Sequence, residues 1–200
     1  MTVFAPNTWG DRRRVRVGLL GGSFNPAHAG HRHIAELALK RLGLHQVWLL
    51  VSPQNPLKPT AGMAPQAQRL DAARRTVADN PRLIATAIET ALGTRYTADT
   101  VAALRRRFPL VRFVWLMGAD NLAQMHRWNR WQNIFRAVPV AILARGPYSA
   151  NALAARATRR FARFRVGGRG LSGRPPPAWM FLHTRRHPAS ATAIRARATR

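Results

Sequence analysis

The sequence predicts an α/β fold, a parallel sheet with helices on both faces. Three observations carry that expectation. Short apolar runs at 15–20, 47–51, 111–117 and 138–144 are separated by longer amphipathic stretches. Those separating stretches are long enough to be the crossover helices that parallel strands require. The residues able to do chemistry follow directly after apolar runs, where an open parallel sheet binds its ligands.

Taken in order, residues 1–14 read as a flexible leader and 15–200 as a single domain. Residues 15–20 form a first buried strand, and 28–42 a helix with Ile34, Leu37, Ala38 and Leu42 on one face, stopped at Gly43. VWLLV at 47–51 is the second strand, followed by the Pro/Gly-rich loop SPQNPLKPTAGMAP. A helix over 66–78 carries Leu70, Ala73 and Val77 inward, and 83–88 reads as a short strand. A helix over 97–108 places Asp99 in its first turn and Val101 and Leu104 on its apolar side. VRFVWLM at 111–117 is a strand ending at Gly118, with short helices over 119–128 and 129–136 and a strand over 138–144. A basic helix over 151–164, a flexible Gly/Pro/Arg-rich loop near 165–178, a last strand over 179–183 and a helix from Thr192 complete the reading.

Composition excludes several classes of function. There is no cysteine, so disulfides, zinc thiolate sites and cysteine nucleophiles are ruled out. The first 14 residues lack the apolar core of a signal peptide, and no run approaches the roughly 18 apolar residues that cross a bilayer. A soluble cytoplasmic protein with no membrane partner is the expectation. Charge is extreme, with 33 Lys plus Arg against 7 Asp plus Glu. Only Lys40 and Lys58 are lysines; the arginines are dispersed among alanines, as GC-rich coding produces. That pattern argues for compositional bias together with anionic ligands, and against a nucleic-acid partner.

VRVGLLGGSFNPAHAGHRHI at 15–34 is the most informative stretch. A strand breaks at Gly21-Gly22, turns through Asn25-Pro26 and enters a helix with His28 and His31 three residues apart. Glycines let a ligand approach the backbone, and a helix N-terminus offers N–H groups and a positive dipole end to phosphate. The two imidazoles share one face. No third metal ligand lies near them in sequence, and this stretch itself fits neither the GK[ST] nor the GxGxxG pattern.

His28-Ala29-Gly30-His31 in this setting resembles the HxGH signature of the nucleotidyltransferase superfamily, and the longer string GGSFNPAHAGH resembles the start of bacterial nicotinate-nucleotide adenylyltransferases. Further blocks in the same order extend the resemblance over about residues 15–197. They are NPLK at 55–58, Arg69-Leu70, Tyr96-Thr97-Ala98-Asp99-Thr100, Gly118-Ala119-Asp120 with Trp128 and Trp131, Arg145-Gly146-Pro147, and Ser190-Ala191-Thr192-Ala193-Ile194-Arg195. Three features depart from the family pattern. Arg95 stands where the family has serine, and Ala189 where it has Ile or Val. The chain ends at Arg200, where relatives carry a further helical segment, which leaves the last helix short, so that either another subunit or loop covers that surface or the chain is less stable than its relatives.

The resemblance implies a Rossmann-like HxGH nucleotidyltransferase fold. It also implies a reaction in which ATP and nicotinate mononucleotide give the deamido dinucleotide precursor of NAD and pyrophosphate, with Mg²⁺ bridging phosphate oxygens. His28, His31, Lys58 and Arg195 are the expected catalytic donors and cations. Gly21, Gly22, Ser23, Phe24, Gly118, Asp120, Ser190 and Thr192 are the expected contacts of ATP and its phosphates. Tyr96, Thr97, Trp128 and Arg145 are the expected contacts of the nicotinate nucleotide. Asp120 reads equally as a ribose or metal contact and as a helix cap, Ser190 as a ligand contact or a cap, and Trp128 as a stacking platform or core. No protein side chain is assigned to a metal, and a homo-oligomer is compatible with the pattern. Two other readings stand beside this one: a related adenylyl- or cytidylyltransferase with another phosphate acceptor, such as phosphopantetheine, and a non-catalytic polyanion-binding protein.

Overall fold

In each central strand, successive residues face opposite sides of the sheet, and both sides are apolar. In the computed structural model, which describes residues 6–7, 9–10, 12–54, 61–145, 153–167 and 170–184, six strands form one sheet. They are β1 (Arg16–Gly22), β2 (Gln46–Val51), β3 (Leu83–Thr86), β4 (Arg112–Gly118), β5 (Val140–Arg145) and β6 (Trp179–Thr184). The order is β3-β2-β1-β4-β5-β6 and every neighbouring pair is parallel. The chain reverses direction across the sheet between β1 and β4, so their carboxyl ends frame the crevice where such sheets bind ligands.

Helices cover both faces, as the sequence predicts. Helix α1 (Ala29–Leu42) and helix α2 (Gln66–Val77) lie on one side, where Ile34, Ala38, Leu42, Ala73 and Val77 pack on Val47, Leu49, Val114 and Leu116. On the other side, Val17, Leu19, Trp48, Leu50, Phe113 and Trp115 meet α4 (Thr97–Arg107) and α6 (Trp131–Ala137) through Val101, Leu104, Ile134 and Phe135. Gly43 ends α1 in the left-handed conformation at φ 60°, and its N–H donates to the Leu39 carbonyl.

Five details differ from the sequence expectation. The run 83–88 is a four-residue strand followed by a single helical turn, α3 (Ile88–Ala91), too short to leave a periodic signal. Helix α5 (Ala119–Gln124) is followed by a 3-10 turn at Met125–Arg127 in place of a helix to residue 128. The basic helix is short: α7 (Arg156–Arg160) begins after an extended Ala155, whose carbonyl accepts from the Thr158 hydroxyl at 2.7 Å, and ends at the buried Phe161. The loop near 165–178 is anchored, because Leu171 and Ser172 are buried and the Ser172 hydroxyl donates to the Leu42 carbonyl at 2.8 Å. Part of the leader also lies on the domain: a Cβ on Gly10 would come within 2.0 Å of the Arg107 carbonyl oxygen. Residues 146–150 and the expected helix from Thr192 lie outside the described residues.

His45 closes the sheet edge between α1 and β2. Its Nδ1 accepts from the Arg16 backbone N–H at 2.8 Å, so the folded state uses the neutral ring. Burial, followed by the nearby Arg16 and Arg82 charges, lowers its pKa. The unfolded chain therefore binds this proton more readily, and the His45 contribution is complete above about pH 6.5 and lost on acidification. Because the residue is exposed, we expect His45→Ala to cost only about 0.5 kcal/mol at pH 7.5 and clearly less at pH 5, read from urea midpoints. An equal deficit at both values contradicts this role.

Candidate active site

The glycine turn after β1 forms the centre of the site. Phe24 sits in the left-handed region at φ 48° with its ring buried, which turns the chain sharply toward α1. His28 is the N-cap of α1, and its Nδ1 accepts from the Gly30 N–H at 3.1 Å. The His28 N–H in turn donates to His31 Nδ1 at 3.2 Å, a reciprocal capping box made of two histidines. With both Nδ1 atoms accepting, each neutral ring carries its hydrogen on Nε2. The ring centroids are 3.9 Å apart, and the Phe24 ring lies 4.9 Å from that of His31. Sequence spacing puts the two imidazoles on one face, and the capping contacts fix their orientation.

Arg69 on α2 holds this turn in place. Its guanidinium donates to the carbonyls of Ala64 at 2.8 Å, Ser23 at 2.7 Å, Ser52 at 2.9 Å and Pro53 at 3.0 Å. The residue is buried, and burial lowers its pKa. Three segments converge on one side chain: the turn after β1, the loop after β2, and the approach to α2. Asn25 adds a second tie, donating to the Gly62 carbonyl at 2.9 Å and accepting from the Ala64 N–H at 3.3 Å.

A cleft of about 350 Å³ opens beside this corner at the carboxyl ends of β1, β2 and β4. Gly21, Gly22 and Ser23 form one wall, and Ser52 and Gln54 another. Glu89, Arg95, Tyr96 and Thr97 come from the segment that leads into α4. Trp115, Asn121, Arg127, Trp128 and Asn129 close the remaining side. The Trp115 and Trp128 rings meet edge to face at 6.4 Å and 86°. A Cβ on Gly21 would lie 2.6 Å from the Trp115 ring, so only glycine admits that aromatic wall. Two buried polar atoms in the lining, Ser23 Oγ and Trp115 Nε1, have no hydrogen-bond partner among the described residues. Buried polar groups are rarely left so, and these two are suited to a polar ligand.

Helix α4 presents its N-terminus to the cleft without a side-chain cap. Asp99 in its first turn pairs with Arg130 at 2.5 Å. Arg130 is in the left-handed region at φ 48°, and this bridge joins the Trp128 loop to the start of α4. Behind Tyr96, the Thr100 hydroxyl lies 3.0 Å from Glu89 Oε1 and 2.9 Å from the Thr94 hydroxyl. Burial pushes the Glu89 carboxyl up to about 7, against the opposing effect of the Thr100 hydrogen bond.

Of the residues singled out from sequence, Gly21, Gly22, Ser23, Tyr96, Thr97 and Trp128 line one cleft. His28 and His31 form the adjoining corner. The Phe24 side chain belongs to the core, so its contribution to a ligand site is limited to backbone. Gly118 caps α5 with its backbone, and Asp120 is exposed in the first turn of that helix without capping it. Arg145 ends β5, and Lys58, Ser190, Thr192 and Arg195 lie outside the described residues. Trp131 packs on Phe135 and Phe161 and so serves the core. Sequence reasoning missed Trp115, which looks like one more apolar strand residue, and Glu89, whose signal is an acid directly after the apolar Ile88 in a chain with only seven acids. Among the described residues, no three His, Asp or Glu side chains are placed to hold a metal ion. No helix among them is long and apolar enough to cross a membrane.

A sheet of this order, with a glycine turn and a histidine pair at its switch point, defines a nucleotidyltransferase, and the family model described as cytidylyltransferase-like matches residues 19–197. A Cereibacter sphaeroides protein named "Probable nicotinate-nucleotide adenylyltransferase" is 58% identical over 180 residues, covering 90% of this chain and 96% of the relative. A Gluconacetobacter diazotrophicus protein of the same name is 51% identical over 195 residues, covering 96% and 90%. Among solved structures, Plasmodium falciparum nicotinic acid mononucleotide adenylyltransferase complexed with NaAD superposes with a TM-score of 0.67 at 14% identity, covering 91% of this chain and 83% of that one. The likeness extends to the fold. The chain belongs to the nicotinate-nucleotide adenylyltransferase family, within the cytidylyltransferase-like class.

Gly21→Ala is expected to displace the Trp115 ring and lower adenylyl transfer by about tenfold or more, with the far-UV spectrum unchanged. Wild-type turnover in this variant removes the Trp115 wall from the site.

Proposed function

We propose that the protein joins ATP and nicotinate mononucleotide, releasing pyrophosphate and forming deamido-NAD, and that it does so in the cytoplasm. The observation that carries this is the junction of two different environments along one glycine turn. On one side, His28 and His31 are oriented by each other at the start of α1, a setting for phosphate. On the other is an aromatic cleft with an uncapped helix N-terminus, a setting for a flat ring bearing an anionic substituent.

In this reading a phosphate oxygen of the mononucleotide attacks the α-phosphorus of ATP. The new P–O bond forms as the bond from the α-phosphorus to the pyrophosphate oxygen breaks, and pyrophosphate leaves with the charge. No covalent intermediate on the protein is needed, so catalysis is positioning and electrostatic stabilisation. His28 and His31 donate from Nε2 to the triphosphate, with Lys58 and Arg195 as cationic partners. Mg²⁺ enters on the triphosphate as part of that substrate and screens its charge. Trp128 stacks on the pyridine ring, and Thr97 with the neighbouring helix N–H groups receives the ring carboxylate. Arg95 and Arg127, both in the cleft lining, add positive charge for an acceptor with two anionic groups.

The test is pyrophosphate release with ATP, Mg²⁺ and a panel of acceptors that includes nicotinate mononucleotide, nicotinamide mononucleotide and phosphopantetheine. Turnover is expected with the nicotinate nucleotide, and its absence with both pyridine nucleotides overturns the reading. His31→Ala is expected to cut kcat by about 10²–10³ while the protein remains folded. Near-normal kcat removes His31 from the chemistry.

A further inference from the structure

Among the described residues of the cleft lining Glu89 is the one acid, and it sits on a wall otherwise suited to anions. Its residue is 7% exposed, on the single-turn helix α3. The groups facing it are Thr94 and Thr100, which form a hydroxyl chain with it, and Arg95, Tyr96 and Arg127, which line the same space. Asp99, the nearest acid along α4, is engaged by Arg130. Strand β4 contributes Trp115 and the loop after β2 contributes Ser52 and Gln54, none of them ionisable.

The hydroxyl chain accommodates both states of the carboxyl. With Glu89 ionised, Thr94 donates to Thr100 and Thr100 donates to Glu89 Oε1. With Glu89 neutral, its own O–H donates to Thr100, which then donates to the Tyr96 carbonyl 3.3 Å away. The protonation change requires only a reversal of hydroxyls. Its effect on the cleft is large, because a negative charge in a buried wall acts through a low effective dielectric.

We propose that Glu89 determines acceptor specificity: its carboxyl must be neutral for an acceptor with an anionic ring substituent to bind, and its ionised form favours an acceptor whose ring carries a neutral carboxamide. The proposal rests on the cleft being the site of the pyridine nucleotide, as stated above. An ionised Glu89 repels a carboxylate placed at the start of α4 and is a strong, charge-assisted acceptor for a carboxamide N–H, whereas the neutral carboxyl lacks that repulsion and accepts only weakly through its carbonyl oxygen. Burial already holds the group at about 7, so the switch falls in the physiological range.

The experiment is the pH dependence of a ratio. kcat/KM is measured for nicotinate and nicotinamide mononucleotides from pH 5.5 to 9, and one is divided by the other. Titrations of ATP, of the shared phosphate and of the catalytic groups cancel. A group titrating near 7 that must be neutral for the acid predicts that the acid-to-amide ratio falls by about tenfold or more between pH 6 and pH 8, toward about a hundredfold where the amide takes only the ionised form. Glu89→Gln is expected to make the ratio flat. Thr100→Val keeps the carboxyl but removes the hydroxyl that favours its ionised form, and is expected to move the midpoint to higher pH. A ratio that is flat in the wild type, a slope that persists in Glu89→Gln, or a midpoint unmoved in Thr100→Val overturns the proposal. Wild-type turnover of the nicotinate nucleotide at pH 6 keeps the acceptor assignment intact in each of those cases. Its absence at every pH overturns that assignment and the proposal together.

Discussion

The guanidinium of Arg69 is the contact on which the site depends. A buried cation is costly unless its hydrogen-bonding capacity is used, and here four backbone carbonyls use it. Those carbonyls belong to the turn after β1, the loop after β2 and the approach to α2. Carbonyls such as that of Ser23 are thereby turned toward the guanidinium on α2. Arg69 also places a permanent positive charge behind the turn after β1. One side chain thus links the order of the sheet to the electrostatics of the corner, and no lysine offers the same planar set of donors.

The two halves of the site follow from different local rules. The corner depends on backbone: a left-handed Phe24, a histidine capping box and the first turn of α1. The cleft depends on side-chain shape, with the Trp115 and Trp128 rings at right angles and a glycine where any Cβ would collide. Both are set in a molecule with a formal net charge of +26, which attracts anionic substrates at long range. Most of the described acids are spent in ion pairs: Glu36 and Asp79 with Arg32, Asp71 with Arg74, and Asp99 with Arg130. Glu89 is therefore exceptional, since it sits in the cleft with only hydroxyls as hydrogen-bond partners among the described side chains.

Much of this was legible in the sequence, for physical reasons. Apolar runs buried on both faces and helices with one apolar stripe give unambiguous periodicities, so β1, β2, β4, α1 and α4 fall within two residues of expectation. The glycine turn and the histidine pair are local, so spacing was enough to put the two imidazoles on one face, while the capping box that orients them is seen only in the structure. What was not legible depends on distant contacts. The four carbonyls bound by Arg69 come from segments up to 46 residues away. Trp115 looks like any core residue of a strand until the glycine opposite it is known. The turn at Ile88–Ala91 is too short for a periodic signal, and with it went Glu89. Phe24 was singled out because it lies inside the motif, and the structure adds that its ring fills the core while its backbone makes the turn.

The claim that Arg69 organises the corner is tested most directly by Arg69→Lys, with steady-state pyrophosphate release and urea unfolding measured on the same preparation. The account predicts a loss of stability of about 2–3 kcal/mol, because a single ammonium cannot serve four carbonyls, and a fall in kcat/KM of about 10²-fold under conditions where the variant is fully folded. A variant that is equally destabilised yet turns over like the wild type would show that Arg69 holds the fold without setting the geometry of the site, and would contradict the account.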